Sequence, residues 1–215
     1  MSVRINGEEL PEAAILTELQ RLIQFYKDHL SKAEIGRRMP QLMRAARDQA
    51  IGARLLRDEA IALKVEVDEA EVEKSFQTML KQAGNSINLK ALAAKHGLTL
   101  ETLRDSIRTG KRIDALVARV TAKAAAPGGD EIKAWHEAHP ADYRMPDRAL
   151  VRHINKVDAE VGRAMTLDEA RDRIADLLLH QNRGQALAAY VQRLRAAVTI
   201  EEDDDAAAVG AENDK

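Results

Sequence analysis

The residues that could do chemistry in this chain are six scattered histidines, one stripe of arginines and one run of aspartates. His136 and His139 are the only close histidine pair, and a spacing of three puts both rings on one helical face, where they could share a metal ion. The pair stands at a helix end before Pro140, and no third ligand accompanies it. The metalloprotease spacing His-Glu-x-x-His is absent. Asp203, Asp204 and Asp205 lack the spacing and turn glycine of a calcium loop. No glycine-rich loop leads into Lys-Ser/Thr to cradle phosphate, and no serine stands in a nucleophile-elbow sequence. Without cysteine, thiolate zinc, disulfides and cysteine nucleophiles are excluded. The sequence gives grounds for neither a metal nor a cofactor.

Arg37, Arg38, Arg44, Arg47, Arg54 and Arg57 form a basic stripe. It suits an acidic partner or nucleic acid, but aromatic residues for base stacking make up only 3% of the chain, and acids are interspersed. The plainer reading is the solvated face of an amphipathic helix, with no nucleic-acid partner. Trp135 and Tyr143 flank Pro140 and read either as packing of a small helix or as an anchor for an extended peptide. Met39, Met43, Met79 and Met145 are adaptable apolar side chains suited to core or to a permissive binding surface.

The elements that must position these residues are mostly helical. "SVRINGEEL" alternates Val3 and Ile5 with Arg4 and Asn6, then turns at Asn6-Gly7, a short strand and turn. Pro11 opens a helix whose apolar stripe is Ile15, Leu19, Leu22, Ile23, Tyr26 and Leu30. Gly36 should break it. Pro40 starts a second helix reaching about Lys64, with Leu42, Ala46, Ala50 and Leu55 inside and Arg44, Arg47, Arg54, Arg57 and Lys64 outside. Asp68 with Glu71 reads as a capping box for a helix to about Ala83, ended by Gly84-Asn85. A short helix spans Leu89 to His96 and is closed by Gly97. Thr99 caps the next, which carries Leu103, Ile107, Ile113, Leu116, Val117 and Val120. "AAAPGGDE" is a linker, and Asp130 restarts a helix bearing Ile132 and Trp135. "RALVRHINKV" alternates as a strand. Thr166-x-x-Glu169 caps a final helix to about Ala197, with Gly184 inside it and Leu187, Tyr190, Val191, Leu194 and Val198 on one stripe. "AVTIE" suits a closing strand that would pair with the first.

Charge is uneven. Residues 201–215 hold seven acids and one base, whereas the whole chain carries only −2. Such a tail has too little apolar surface to order itself. No apolar run approaches the roughly 18–20 residues of a membrane span, so no span is expected. "MSVRINGEEL" lacks a signal peptide's apolar core. As written, the sequence suits the cytoplasm, and it suits the periplasm if it is a mature or truncated form.

In this order the segments resemble the SurA/PpiC-type chaperones, which join a helical chaperone domain to parvulin peptidyl-prolyl isomerase domains. "VRINGEEL" looks like the opening strand and turn. "LMRAARDQAIGARLLRDEAIALKVEVDEAEVEKSF" looks like the long helix and the step into the next. "LKALAAKHGLTLETLRDSIRTGKRIDALV" is similar to the following helix, turn and arginine-bearing helix. "DEIKAWHEAHPADYRMPDRALVRHI" resembles the entry into a parvulin domain, and "LDEARDRIADLLLHQNRGQALAAYVQRLRAAVTIE" the return from it. The likeness covers nearly all of residues 2–201.

The departure lies at the entry. His153 matches the entry histidine, but only Asn155 to Met165 separate it from the capping box, and a compact domain seldom has fewer than about 50 residues. A tight connection, a hairpin through Asp158 to Gly162, would bridge the gap. The resemblance thus implies a mainly α, SurA N-terminal-like chaperone fold with short strands pairing the chain ends, and no catalytic residues. The expected organisation is a chaperone domain over 1–124, then a linker, short helix and hairpin over 125–165. A helix and strand return over 166–200, and an acidic tail occupies 201–215. The implied function is ATP-independent binding of unfolded or immature protein clients in an apolar crevice. Met39, Met43, Trp135, Tyr143, Met145 and Tyr190 are the candidate client-binding residues, and a homodimer is a further assembly open to it. The competing readings are a degenerate peptidyl-prolyl isomerase-like foldase and a dedicated interaction module that docks through its acidic tail.

Overall fold

A computed structural model describes residues 2–84, 86–95, 97–146 and 162–202. The chain divides into two compact units, residues 1–118 with 189–215 and residues 119–188.

The first unit begins with β1 (Val3–Ile5) and β2 (Glu8–Glu9). Asn6 and Gly7 both have positive φ, 51° and 81°, the backbone that a tight two-residue hairpin turn requires. The last strand, β5 (Ile200–Glu202), pairs antiparallel with β1 on its other edge, giving the order β2-β1-β5. The predicted closure of the chain ends is therefore present. Val3 and Ile5, buried at 1% and 4% exposure, face the core, while Arg4 stays outside, as the period-2 pattern demands.

Helix α1 (Glu12–Lys27) starts just after Pro11. It ends earlier than its apolar stripe suggests, because Ser31 begins a separate short helix, α2 (Lys32–Arg37). Ser31 N–H donates to Glu34 at 2.9 Å and Glu34 N–H donates to Ser31 Oγ at 3.3 Å, a full capping box. Gly36 lies inside α2 and breaks nothing, contrary to the sequence expectation; the break is the cap at Ser31. Helix α3 (Met39–Ala62) follows it and carries the centre of the core, including Ala46, Ala50, Ile51 and Leu55. Leu22, Ile23, Tyr26, Leu194, Val198 and Ile200 close around this cluster.

Arg47 is not on the outer face: it is 8% exposed and donates to Glu202 at 3.0 Å. The strand that returns from the far end of the sequence brings a carboxylate to a helix position that otherwise faces inward. Asp68 does cap α4 (Glu69–Gln82), but it accepts from Ala70 N–H, and Glu71 turns outward to Lys74 rather than completing a box.

Helices α5 (Ser86–Lys95) and α6 (Leu100–Thr121) follow. Gly97, at φ 68°, makes the turn between them. Thr99 Oγ1 accepts from Thr102 N–H at 3.1 Å, the predicted cap. Two ion pairs tie α4 to α6: Arg108 donates to Glu69 from Nε and Nη2 at 2.7 and 2.9 Å, and Arg104 meets Glu73 at 3.2 Å. Arg104 also lies 3.8 Å from the ring centre of buried Phe76, a cation–π contact.

In the second unit, α7 (Gly129–Ala138), the strands β3 (Arg144–Pro146) and β4 (Gly162–Ala164), and the first part of α8 (Leu167–Ala196) surround a small core of Ile132, Tyr143, Ala170, Ile174 and Leu178. β3 and β4 pair antiparallel, Met145 opposite Arg163. The predicted strand over 149–158, His153 and most of the expected hairpin lie outside the described residues, as do His96 and residues 203–215.

Gly184 sits within α8, and a methyl group there would meet nothing within 4 Å. Gly184→Ala should therefore stabilise the protein by about 1 kcal/mol, whereas Ile51→Ala, at a fully buried position, should cost about 2–5 kcal/mol. Urea unfolding of both variants checks the pair.

Candidate functional site

The first unit holds an open cleft of about 400 Å3. It forms where α1 and α3 face one another through small side chains: Ala14 and Thr17 on one helix, Ala50 and Ala53 on the other. Leu10 and Pro11 close one end and Ile113 of α6 contributes to the lining. Pro11 and the start of α1 are fixed by the β1–β2 hairpin, since Leu10 N–H donates to Val3 carbonyl at 2.8 Å. The lining is thus apolar at its base, with Glu9, Glu18, Arg54 and Arg57 as its charged members.

Arg54 also lines a second hollow of about 350 Å3 with Ile5, Glu8, Asp58 and Ile61. Its guanidinium donates to Asp58 at 2.6 Å and bonds Glu8, and the Asp58 hydrogen bond leads in raising its pKa further. Glu18 accepts from Arg21 at 2.9 Å. The first unit also exposes several large apolar side chains, among them Phe25 (64%), Leu63 and Ile61, the last of which lines the second hollow. Ile87 (77%), Leu92 and Leu98, on and just after α5, are also exposed, although Leu89 and Ala93 of the same helix are buried. Helix α5 is therefore apolar both inward and outward, which a helix serving only the core does not need.

The six residues singled out from the sequence are placed as follows. Met39 and Met43 are half-buried and pack on the first unit's core. Tyr190 is half-buried; its hydroxyl donates to Glu59 at 2.9 Å, and desolvation, then that carboxylate, raises its pKa. Trp135 and Tyr143 do come together: Trp135 Nε1 donates to Tyr143 Oη at 3.0 Å. Tyr143 is only 3% exposed, and the Trp135 ring stacks on His139 at 4.0 Å. Met145 lies in β3, in the second unit with Trp135 and Tyr143. None of the six lines the cleft. Sequence reading missed Leu10, Ala14, Ala53 and Ile113 as cleft lining, and took Arg54 and Arg57 as part of a basic stripe read mainly as a solvated face; the available signal was alanine at helical spacing on α3, at Ala46, Ala50 and Ala53.

His136 and His139 turn to backbone rather than to each other. His136 Nε2 is 3.0 Å from Met165 carbonyl oxygen, and His139 Nδ1 is 2.9 Å from that of Trp135. Among the described residues no group of three or more metal-ligating side chains is assembled, and no helix is long and apolar enough to cross a membrane.

No protein-family model and no curated protein matches the sequence. Among solved structures, the chain is similar to one reported with the virulence factor PEB4 and the periplasmic protein Cj1289, described as two structurally related SurA-like chaperones of the human pathogen Campylobacter jejuni. The TM-score is 0.52 at 12% identity, covering 94% of this chain and 99% of that one. The chain has a SurA-like chaperone fold.

After β4, α8 opens on its predicted cap. Thr166 N–H donates to Glu169 at 2.9 Å, and Arg163 donates to the same carboxylate at 2.8 Å. The Arg163 hydrogen bond, followed by that from the Thr166 backbone, pulls Glu169 down to about 2. Because this carboxyl is more acidic folded than unfolded, its stabilisation is complete above about pH 4.5, the ordinary value, and is lost as pH falls toward 2. Trp135 is the sole tryptophan and reports the second unit. Its fluorescence melting temperature should fall across that window, and Glu169→Gln should lower it at neutral pH while flattening the fall. An unchanged acid profile in the variant would contradict the assignment.

Proposed function

We propose that this protein is an ATP-independent chaperone or assembly factor that holds unfolded or immature protein segments against apolar surface of its first unit, with the α1–α3 cleft as the primary seat. The observation that carries the reading is an open, apolar-based cleft in a unit that also exposes Phe25, Ile61 and α5 side chains, on a fold shared with SurA-like chaperones. A soluble chain that keeps such side chains outside accepts a cost in solubility, which is accounted for if partners cover them.

Magnitudes favour weak, repeated capture. Seating one leucine-sized side chain in the cleft is worth about 1.5–3 kcal/mol. Ordering each client backbone residue costs about 1–2 kcal/mol, so one seat alone holds little, and several exposed apolar patches must act together. Weak seats also allow release without nucleotide hydrolysis. Met39, Met43 and Tyr190 would contribute as half-buried edges of the same unit. Trp135 and Tyr143 would support the second unit through their own packing, with Met145 beside them in sequence.

At several-fold molar excess over a model enzyme diluted from denaturant, the protein should suppress light scattering in the absence of ATP. Ala53→Trp, at an exposed position of the cleft wall, should weaken suppression at least severalfold while leaving the circular-dichroism melt close to wild type. No suppression by the unaltered protein would count decisively against the reading.

A further inference from the structure

The charges at the α1–α3 cleft are not equivalent. Arg54 is engaged by Asp58 and Glu8, and Glu18 by Arg21. Arg57, three residues beyond Arg54 on α3, has no ion-pair partner among the described residues and is exposed. Glu9, in β2, is likewise without one. Among the described residues the lining therefore includes one uncommitted guanidinium from α3 and one uncommitted carboxylate from the hairpin, together with the apolar side chains of Leu10, Ala14, Ala50 and Ala53. A guanidinium offers a planar fork of donors matched to a carboxylate, and Glu9 repels a carboxylate from the hairpin side.

We propose that the cleft selects client segments in which an apolar side chain is followed closely by a carboxylate, the apolar group seated over Ala14, Ala50 and Ala53 and the carboxylate held by Arg57. This rests on the chaperone reading above and adds a substrate class to it. Arg54 contributes little to the selection, since an incoming carboxylate would have to displace Asp58.

The test uses the full chain and three fluorescein-labelled, unstructured decapeptides. They are identical except for Glu, Gln or Lys two positions after a central leucine, and binding is read by anisotropy at low ionic strength. The Glu peptide should bind about three- to fivefold more tightly than the Gln peptide, the scale of an exposed ion pair, and the difference should shrink in high salt. Arg57→Ala should bring the Glu-to-Gln ratio to about one, and Arg57→Glu should make Lys the preferred residue. Equal binding of all three by the unaltered protein, or a Glu preference that survives Arg57→Glu, overturns the inference while leaving the chaperone reading intact. Failure of all three to bind, together with absent aggregation suppression, overturns both. A chain ending at Glu202 identifies the occupant: unchanged affinity supports a client, whereas severalfold tighter binding would assign the seat to the chain's own acidic tail and overturn the client assignment.

Discussion

The antiparallel pairing of β1 with β5 is the constraint on which the first unit depends. Thr199 N–H donates to the Asn6 side chain at 3.0 Å and Asn6 N–H to the Thr199 carbonyl at 2.8 Å, joining residues 193 apart in sequence. Closing so long a loop costs only slightly more than closing one half as long, so three register pairs and a buried Val3 and Ile5 suffice. Once closed, the pairing brings Glu202 to the buried Arg47, Arg195 to Asp48 at 2.8 Å, and Val191 to where a methyl group added at Gly52 would touch it. The same hairpin fixes Leu10 and Pro11, and with them the end of the cleft. One end of the proposed client seat is thus set by the hairpin that also ties the chain ends.

The energetic design separates rigid parts from permissive ones. The core around α3 is built from buried aliphatic residues that fit one arrangement. The cleft beside it has Ala14, Ala50 and Ala53 in its lining, small side chains that leave room. Ion pairs do a different task between α4 and α6, where Glu69–Arg108 and Glu73–Arg104 hold two helices in register at the surface. Each such pair is worth little alone, so this region can yield, while Phe76 beneath Arg104 stays buried.

Much of the fold was legible because its signals are local. The Asn6-Gly7 turn, the Thr99 and Thr166 caps, and the stripe from Leu187 to Val198 each follow from a few neighbouring residues and one periodicity. The failures have a common origin. Arg47 looked solvated because its partner, Glu202, is distant in sequence. Gly36 looked like a breaker because a propensity was weighed without the Ser31–Glu34 box beside it. The cleft was illegible for the same reason as Arg47: Ala14, Ala53 and Ile113 become a surface only after three helices and a hairpin have assembled. Aromatic and methionine residues drew attention as binding candidates, yet Tyr143 is occupied by packing and Trp135 by its bond to it.

The central claim is that unfolded segments are held in the α1–α3 cleft. A photo-crosslinking side chain placed at position 53 tests it directly, with position 74, on the exposed face of α4, as the control. The account predicts crosslinking from position 53 to a permanently unfolded client, much weaker crosslinking from position 74, and loss of the product when the same client is supplied folded. Equal yields from the two positions, or none from position 53 under conditions where aggregation is suppressed, would contradict it.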